Sequence, residues 1–503
     1  MLFIHSLLSL VFVTFAIASD GFYKLDFDVL QGKDLLSALR GFLEDALTPR
    51  DASAMQLTNE RSFYVAKVQV GTPPQEISVL LDTGSADLWI TGSNNPHCLA
   101  NGGDINCEAY GSFNTSESST YHDNQTAFSI KYMDNTYAKG DWATETISLS
   151  EQLNLTDASL AVANDANSSV GVFGIGFSSL ESQQNKYYNL PMLLKSQGLI
   201  SSNAYSLYLT SAEATYGSVL FGGVDHAKYD RELSEIDIPK VNNDYLYLQI
   251  PLKSVTVQLS TQDSSACSTP ATTSSTPIAQ PTLVTSTLSS GSQPTHSGRI
   301  ALEDLASEFA SGIADTLALV KSGSKGFPSI HGSKLVSGNK ANSNISSSGP
   351  SSISSANAAP SSSPSNSTIP ANDTLAILDS GTTLSFLPTE LVTAITSQLG
   401  ENVTYNSAAA AYSVPCSLGG PGNNIVFGFE NKDIQVPLSQ LVYQTGQDPK
   451  TGKSTCTLGL IPSAHTILGD NFLRSCYTVF NLDKKTISIA QIKYTSDENI
   501  QVL

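Results

Sequence analysis

Positive charge is scarce in this chain. Its 503 residues carry 26 Lys and Arg against 45 Asp and Glu, a net charge of −19 and a pI of about 4.6. Such an acidic balance argues against nucleic acid and anionic membranes as partners. It suits work in acid, where carboxylates take up protons and self-repulsion falls; a solvated acidic surface is the plainer account. Cysteine is sparse as well, with six residues and no metal-ligand spacing among them, so no metal site is expected. The last eight residues, 496–503, hold no hydrophobic tail, which disfavours a GPI-type lipid anchor. The apolar stretch 391–399 is polar on one face and too short to span a bilayer.

The longest apolar run, residues 2–18, closes on Ala16-Ile17-Ala18, the small-x-small pattern of signal-peptidase cleavage, although no basic residues precede it. A signal peptide over 1–18 is expected, with an uncleaved anchor as the alternative. Secretion changes how the cysteines read. Cys98 and Cys107 close a short loop and Cys416 and Cys456 a longer one, and disulfides are favoured for both. Cys267 and Cys476 are left to pair or to stay free. Sequons at Asn114, Asn124, Asn154, Asn167, Asn344, Asn366, Asn372 and Asn402 fit a glycosylated secreted protein.

Residues 19–61 are expected to be a propeptide, with apolar residues at helical spacing over 35–43; an ordinary N-terminal extension is the alternative. No Lys-Arg pair marks its end, and only Arg50 and Arg61 offer basic cleavage points. From Tyr64 short alternating strands and polar turns run to about residue 260, with a short helix at 191–198. Residues 262–372 are rich in Ser, Thr, Pro, Ala and Asn and nearly free of aromatics. They bury too little apolar surface to offset ordering entropy and read as a disordered, O-glycosylated insertion. One island within it, Leu302, Leu305, Phe309, Ile313, Leu317 and Val320, has helical spacing. Strand-like sequence resumes at Leu375. An N-terminal lobe over 62–250 and a C-terminal lobe over 251–503 follow.

Two segments repeat: Val79-Leu80-Leu81-Asp82-Thr83-Gly84-Ser85 and Ala376-Ile377-Leu378-Asp379-Ser380-Gly381-Thr382-Thr383. Each delivers one acid from an apolar run into a Gly turn followed by a hydroxyl. Burying a lone charge is costly, so two such endings point to two carboxylates that share a proton. Each half also has a later apolar-apolar-Gly element, Val172-Phe173-Gly174 and Ile467-Leu468-Gly469. Duplication of the pair implies two similar all-β lobes facing each other.

On these segments, with Ala86-Asp87-Leu88-Trp89, the Tyr132 region, Phe221-Gly222-Gly223-Val224-Asp225 and Asp470-Asn471-Phe472-Leu473-Arg474, the chain resembles the pepsin family of aspartic proteases. The likeness is greatest to the fungal yapsin, candidapepsin and barrierpepsin branch, and it covers about 64–260 and 375–492. It implies a bilobal all-β fold and a monomeric endopeptidase that needs no metal or other cofactor. Asp82 and Asp379 would hold a water between them, one as general base and the other polarising the scissile carbonyl. The pair titrates as a unit. Ser85 and Thr382 would donate to the outer carboxylate oxygens, and Thr83 and Ser380 would brace the two loops. Gly84 and Gly381 would let backbone N–H groups approach the acids, and Thr383 completes the second motif.

By the same resemblance Tyr132 closes over substrate as part of a flap and touches Trp89; simple packing of a hairpin aromatic is the alternative. Met133 and Asn135 stand where Gly is usual in the family, and Cys476 stands where a non-cysteine is usual. Asp134 would lie near the pocket for the residue before the cut, or be a solvated turn aspartate. Peptide or protein substrates are the partners implied. A silent binding protein of the same fold is disfavoured because both acids are present. A wall glycoprotein built around the Ser/Thr-rich insert is disfavoured because no anchoring tail is visible.

Overall fold

The structure, a computed structural model, describes residues 21–30, 63–260 and 367–503, apart from Asp104, 133–135, 151–152, Gln184, 212–215, Ala408 and 448–450. Tyr23–Leu30 (β1), Phe63–Val70 (β2), Gln75–Asp82 (β3) and Leu88–Thr91 (β4) come first. The hairpin His122–Lys131 (β5) and Tyr137–Ser150 (β6) follows, then Leu153–Ala166 (β7), Gly171–Gly174 (β8) and the helix Leu190–Ser196 (α1). Ala204–Leu209 (β9), Tyr216–Phe221 (β10), Gly223–Asp225 (β11) and Ser234–Asp237 (β12) complete the first half. The second half opens with Gln249–Gln258 (β13), Thr368–Leu378 (β14), Ser385–Pro388 (β15) and the helix Thr389–Leu399 (α2). Next are Thr404–Asn406 (β16), Ala411–Val414 (β17), Asn424–Phe429 (β18), Lys432–Pro437 (β19), Val442–Gln447 (β20) and Ser454–Leu458 (β21). Leu460–Ser463 (β22), Ile467–Leu468 (β23), the helix Asp470–Leu473 (α3), Cys476–Asn481 (β24), Thr486–Gln491 (β25) and Ile500–Val502 (β26) end the chain.

Alternation makes these strands. In β2, Tyr64, Ala66, Val68 and Val70 are buried, while Lys67 is exposed and Gln69 half-buried. In β3 the exposed start gives way to Val79, Leu80 and Leu81, all buried. Each such side chain stabilises the fold by about 1.5–3 kcal/mol on leaving water. The apolar end of β3 therefore fixes where Asp82 emerges.

One thirteen-stranded sheet runs β12-β25-β24-β9-β10-β1-β2-β3-β8-β4-β7-β6-β5, and a seven-stranded sheet runs β19-β18-β13-β14-β23-β15-β22. Each contains the same small unit. β3 pairs parallel with β8, which pairs antiparallel with β4; β14 pairs parallel with β23, which pairs antiparallel with β15. The later apolar-apolar-Gly elements are β8 and β23 and their flanks, so the internal repeat read from sequence is a repeat of topology. Cystines join Cys98 to Cys107 and Cys416 to Cys456. Cys476 is a buried free thiol whose pKa burial pushes up, and Cys267 lies outside the described residues. No described helix is long and apolar enough to cross a membrane.

Two boundaries differ from the sequence reading, and one strand lies where none was read. Within the span read as propeptide, Tyr23–Leu30 is a strand, paired with β10 over six positions and with β2 over three. Its period-two pattern, Tyr23, Leu25, Phe27 and Val29, is the signal. The helical spacing at 35–43 lies outside the described residues. Next, β14 begins at Thr368, so the insertion read as 262–372 ends earlier. A bulge hides this strand: Asn372 and Asp373 take φ of 54° and 56°, and the register with β13 shifts between Leu252 and Ser254. Pro370 is tolerated because β23 pairs with β14 only at Ile377 and Leu378, leaving the outer part with β13 alone. Finally, β24 and β25 hydrogen-bond to the first half through β9 and β12, so no single cut at residue 250 separates the sheets.

The β13–β14 pairing brings the ends of the insertion together, with Thr256 opposite Thr368 and their hydroxyls 3.1 Å apart. Closure cost grows slowly with loop length, so a shorter connection between these two strands should be tolerated. Replacing 261–366 with a short Gly/Ser linker should keep a cooperative melt with its midpoint within about 5 °C, and should leave any activity of the full chain within about twofold. A folded but inactive product would show that the insertion serves the site.

Candidate active site

Asp82 is the last residue of β3, opposite Gly174 of β8, and is 6 % exposed. Asp379 follows β14, its N–H donating to Leu468 O of β23 at 3.1 Å. Two topologically equal strands thus deliver one carboxyl each. The turns that carry them interlock. Thr83 Oγ1 donates to Leu378 O (2.8 Å) and accepts from Ser380 N–H (2.9 Å); Ser380 Oγ donates to Leu81 O (2.9 Å) and accepts from Thr83 N–H (3.2 Å). Both side chains are fully buried. A net value of about 1 kcal/mol per bond understates the brace, because losing one hydroxyl leaves buried backbone groups unpaired.

The carboxylates are held alike. Gly84 N–H donates to Asp82 Oδ1 at 2.7 Å and Gly381 N–H to Asp379 Oδ1 at 2.8 Å. Ser85 Oγ donates to Asp82 Oδ2, and Thr382 Oγ1 to Asp379 Oδ2 at 2.6 Å. Each turn also touches the other's acid. A Cβ on Gly84 would lie 2.7 Å from Asp379 Cγ, and one on Gly381 would lie 2.5 Å from Asp82 Oδ1. Only glycine fits at these two positions. Burial first, and then the facing Asp379 carboxylate, push the Asp82 pKa well above the usual carboxylate range; the Ser85 and Gly84 hydrogen bonds oppose the rise.

The β5–β6 hairpin is tied to Trp89 of β4. Tyr132 N–H donates to Thr136 O at 2.8 Å, closing the hairpin, and Trp89 Nε1–H donates to Tyr132 Oη at 2.8 Å. The expected contact of Tyr132 with Trp89 is therefore present. Met133, Asp134 and Asn135 lie outside the described residues. Thr383 O accepts from Asn471 N–H at 3.3 Å, tying the second motif to α3.

Among the described residues five acids besides Asp82 are buried, Asp87, Glu145, Glu181, Asp225 and Asp470, and the sequence reading gave none of them a role. Asp470, 1 % exposed at the start of α3, has both carboxyl oxygens without a hydrogen-bond partner. Burial raises its pKa far above normal; Arg474 opposes the rise, and Asp379 and Asp82 add to it. Asp87 and Glu181 lie behind the first turn, 2 % and 4 % exposed. The signal available for Asp87 and Asp470 was an acid set among apolar residues, in Ala86-Asp87-Leu88-Trp89 and Leu468-Gly469-Asp470-Asn471-Phe472.

A family profile described as eukaryotic aspartyl protease matches residues 63–304 and 323–492. The chain belongs to this aspartyl protease family. Among its relatives, Secreted aspartic protease 7 of Candida albicans is 36 % identical over 447 residues, covering 89 % of this chain and 63 % of that protein. Aspartic proteinase yapsin-3 of Saccharomyces cerevisiae is 32 % identical over 463 residues, covering 89 % and 70 %. The Acid protease of Saccharomycopsis fibuligera is 30 % identical over 512 residues, covering 98 % and 100 %. The chain thus spans 63 % of the length of the two Secreted aspartic protease 7 proteins of Candida albicans that it matches.

Proposed function

We propose that this protein is an aspartic endopeptidase that cuts extended peptides in acid, with Asp82 and Asp379 as its catalytic pair. The observation that carries the reading is the duplicated turn: two acids facing each other, each held by a glycine N–H and a hydroxyl, on loops cross-braced by Thr83 and Ser380. The pair starts with one proton. Its ionised carboxylate takes a proton from the water between the acids as that oxygen bonds to the scissile carbonyl carbon. The protonated partner gives its proton to the carbonyl oxygen. The diol then collapses: one hydroxyl returns a proton to the pair, the C–N bond breaks, and the pair protonates the leaving amine. One proton remains, and the cycle is closed.

Tyr132 and Trp89 would hold the flap over an extended peptide bound as an added strand. The apolar run at 2–18 and the name of the Candida albicans relative support export from the cell. The test is a mixed peptide pool incubated with purified protein across the acid range. Internal cuts mapped by mass spectrometry are expected; an uncut pool overturns the reading.

The pool also reads specificity. Asp134, two positions past Tyr132, would accept Lys or Arg before the cut through a charge-assisted hydrogen bond. Asp134→Thr should lower cleavage after Lys and Arg about tenfold and spare cleavage after Leu and Phe. Equal losses for both peptide sets would mean that Asp134 shapes the flap without reading charge.

A further inference from the structure

Behind the first catalytic turn, Glu181, Ser182 and Tyr187 are tied to the flap by two routes. Asp87 stands five residues past Asp82 and two before Trp89. Its Oδ1 accepts from Tyr187 Oη–H at 2.7 Å and its Oδ2 from Ser182 N–H at 2.9 Å, while its carbonyl accepts from Gly174 N–H at 3.0 Å. Trp89, so anchored, donates to Tyr132. The second route is aromatic. The Tyr187 ring lies 5.3 Å from that of Trp142, which meets Phe128 of β5 edge-on at 5.2 Å. Phe128 is on the strand that leads to Tyr132, and Tyr132 and Tyr187 pack against the same buried cluster.

We propose that Glu181, Ser182 and Tyr187 form a positioning element for the flap, acting through Tyr187, and that buried Glu181 sets the upper pH at which it holds. The proposal rests on the peptidase reading for its kinetic consequence alone. Glu181 Oε2 accepts from Tyr187 N–H at 3.0 Å, while its Oε1 is buried without a partner. An ionised carboxylate in that state is costly, and a protonated one is not. The titratable groups facing Glu181 are Asp87, from the turn before β4, and Tyr187 and Lys186 from its own loop. Lys186 Nζ donates to the Glu181 and Ser179 carbonyls. Burial raises the Glu181 pKa to about 7, with Asp87 adding and Tyr187 N–H and Lys186 opposing. A carboxyl raised on folding holds the loop best in acid, and its contribution fades as pH climbs toward the folded value. Above it a second charge stands beside Asp87, the loop loosens, and the flap loses its support.

The chain has two tryptophans, Trp89 and Trp142, and both sit in this network, so their fluorescence reports it without reference to activity. In the full chain, a fluorescence change between mild acid and neutral pH is expected for wild type and should vanish in Glu181→Gln. In acid, Tyr187→Phe, which removes the hydroxyl and keeps the ring, should raise KM about fivefold or more with kcat within about twofold. The bonds that hold the Asp pair are untouched by either change. A fluorescence transition unchanged in Glu181→Gln overturns the pH limit, and a wild-type KM in Tyr187→Phe overturns the positioning role. A fall in melting temperature with KM unchanged would mark Tyr187 as merely structural and also overturns it. Should wild type cleave no peptide, the peptidase reading fails by itself, and the fluorescence arm still decides the role of Glu181.

Discussion

Asp82→Asn and Asp379→Asn should each lower kcat by about 10³-fold or more while leaving a folded protein. Asparagine keeps the shape and the acceptor for Gly84 or Gly381 N–H, but it neither takes up nor gives a proton in the reaction. Each half of the cycle needs one protonated and one ionised member, so neither acid compensates for the other. The stability consequence has a definite sign. Asp82 is raised on folding by burial and by Asp379, so the folded chain keeps a proton that the unfolded chain releases. That contribution is intact in acid and is lost as pH rises through the folded value. Asp82→Asn removes the dependence, so its melting temperature should fall less than that of wild type between acid and neutral pH. Near-wild-type turnover in either purified variant would remove the pair from the mechanism.

Adding a single methyl group at the centre should be almost as damaging. In Gly84→Ala the new Cβ would lie 2.7 Å from Asp379 Cγ, and in Gly381→Ala 2.5 Å from Asp82 Oδ1. Neither carboxyl can retreat freely, because each is held by a glycine N–H and a hydroxyl on braced loops. The turns must part, and displacement of about 1 Å between reacting groups costs on the order of 10²-fold in rate. Gly419→Ala is the control: its Cβ would meet its nearest neighbour at an ordinary 3.6 Å, and activity should stay within about twofold. Measuring kcat/KM and melting temperature for all three separates the wedge from general destabilisation. Full activity in Gly84→Ala would mean that the two turns are not rigidly joined.

The two facing turns were legible because each repeats the same unusual sequence. An acid at the end of an apolar strand is rare, and two of them with the same Gly-hydroxyl continuation define a pair. The strands β2 and β3 were legible because their outer ends alternate and their apolar runs, Tyr64-Val65-Ala66 and Val79-Leu80-Leu81, are buried on both faces. What escaped was of another kind. β14 starts in Thr368-Ile369-Pro370-Ala371-Asn372-Asp373, a composition that reads as linker because a bulge and an edge-like pairing tolerate Pro and left-handed residues. β1 was masked by its position in a span read as propeptide. The partners of Asp87 lie about a hundred residues away, at Ser182 and Tyr187, and no local pattern records such a contact. Burial of Glu181 likewise follows from the packing of its loop and not from its neighbours in sequence.

The central claim is that one pair of acids, shared between the two halves, does the chemistry. Titrating the purified protein in acid with a transition-state inhibitor such as pepstatin, while following peptide cleavage, tests it most directly. The account predicts that activity falls to zero at one inhibitor per chain, and that Asp82→Asn and Asp379→Asn lose tight inhibitor binding and turnover together. Peptide cleavage that persists at saturating inhibitor, or that survives in both variants, would contradict it.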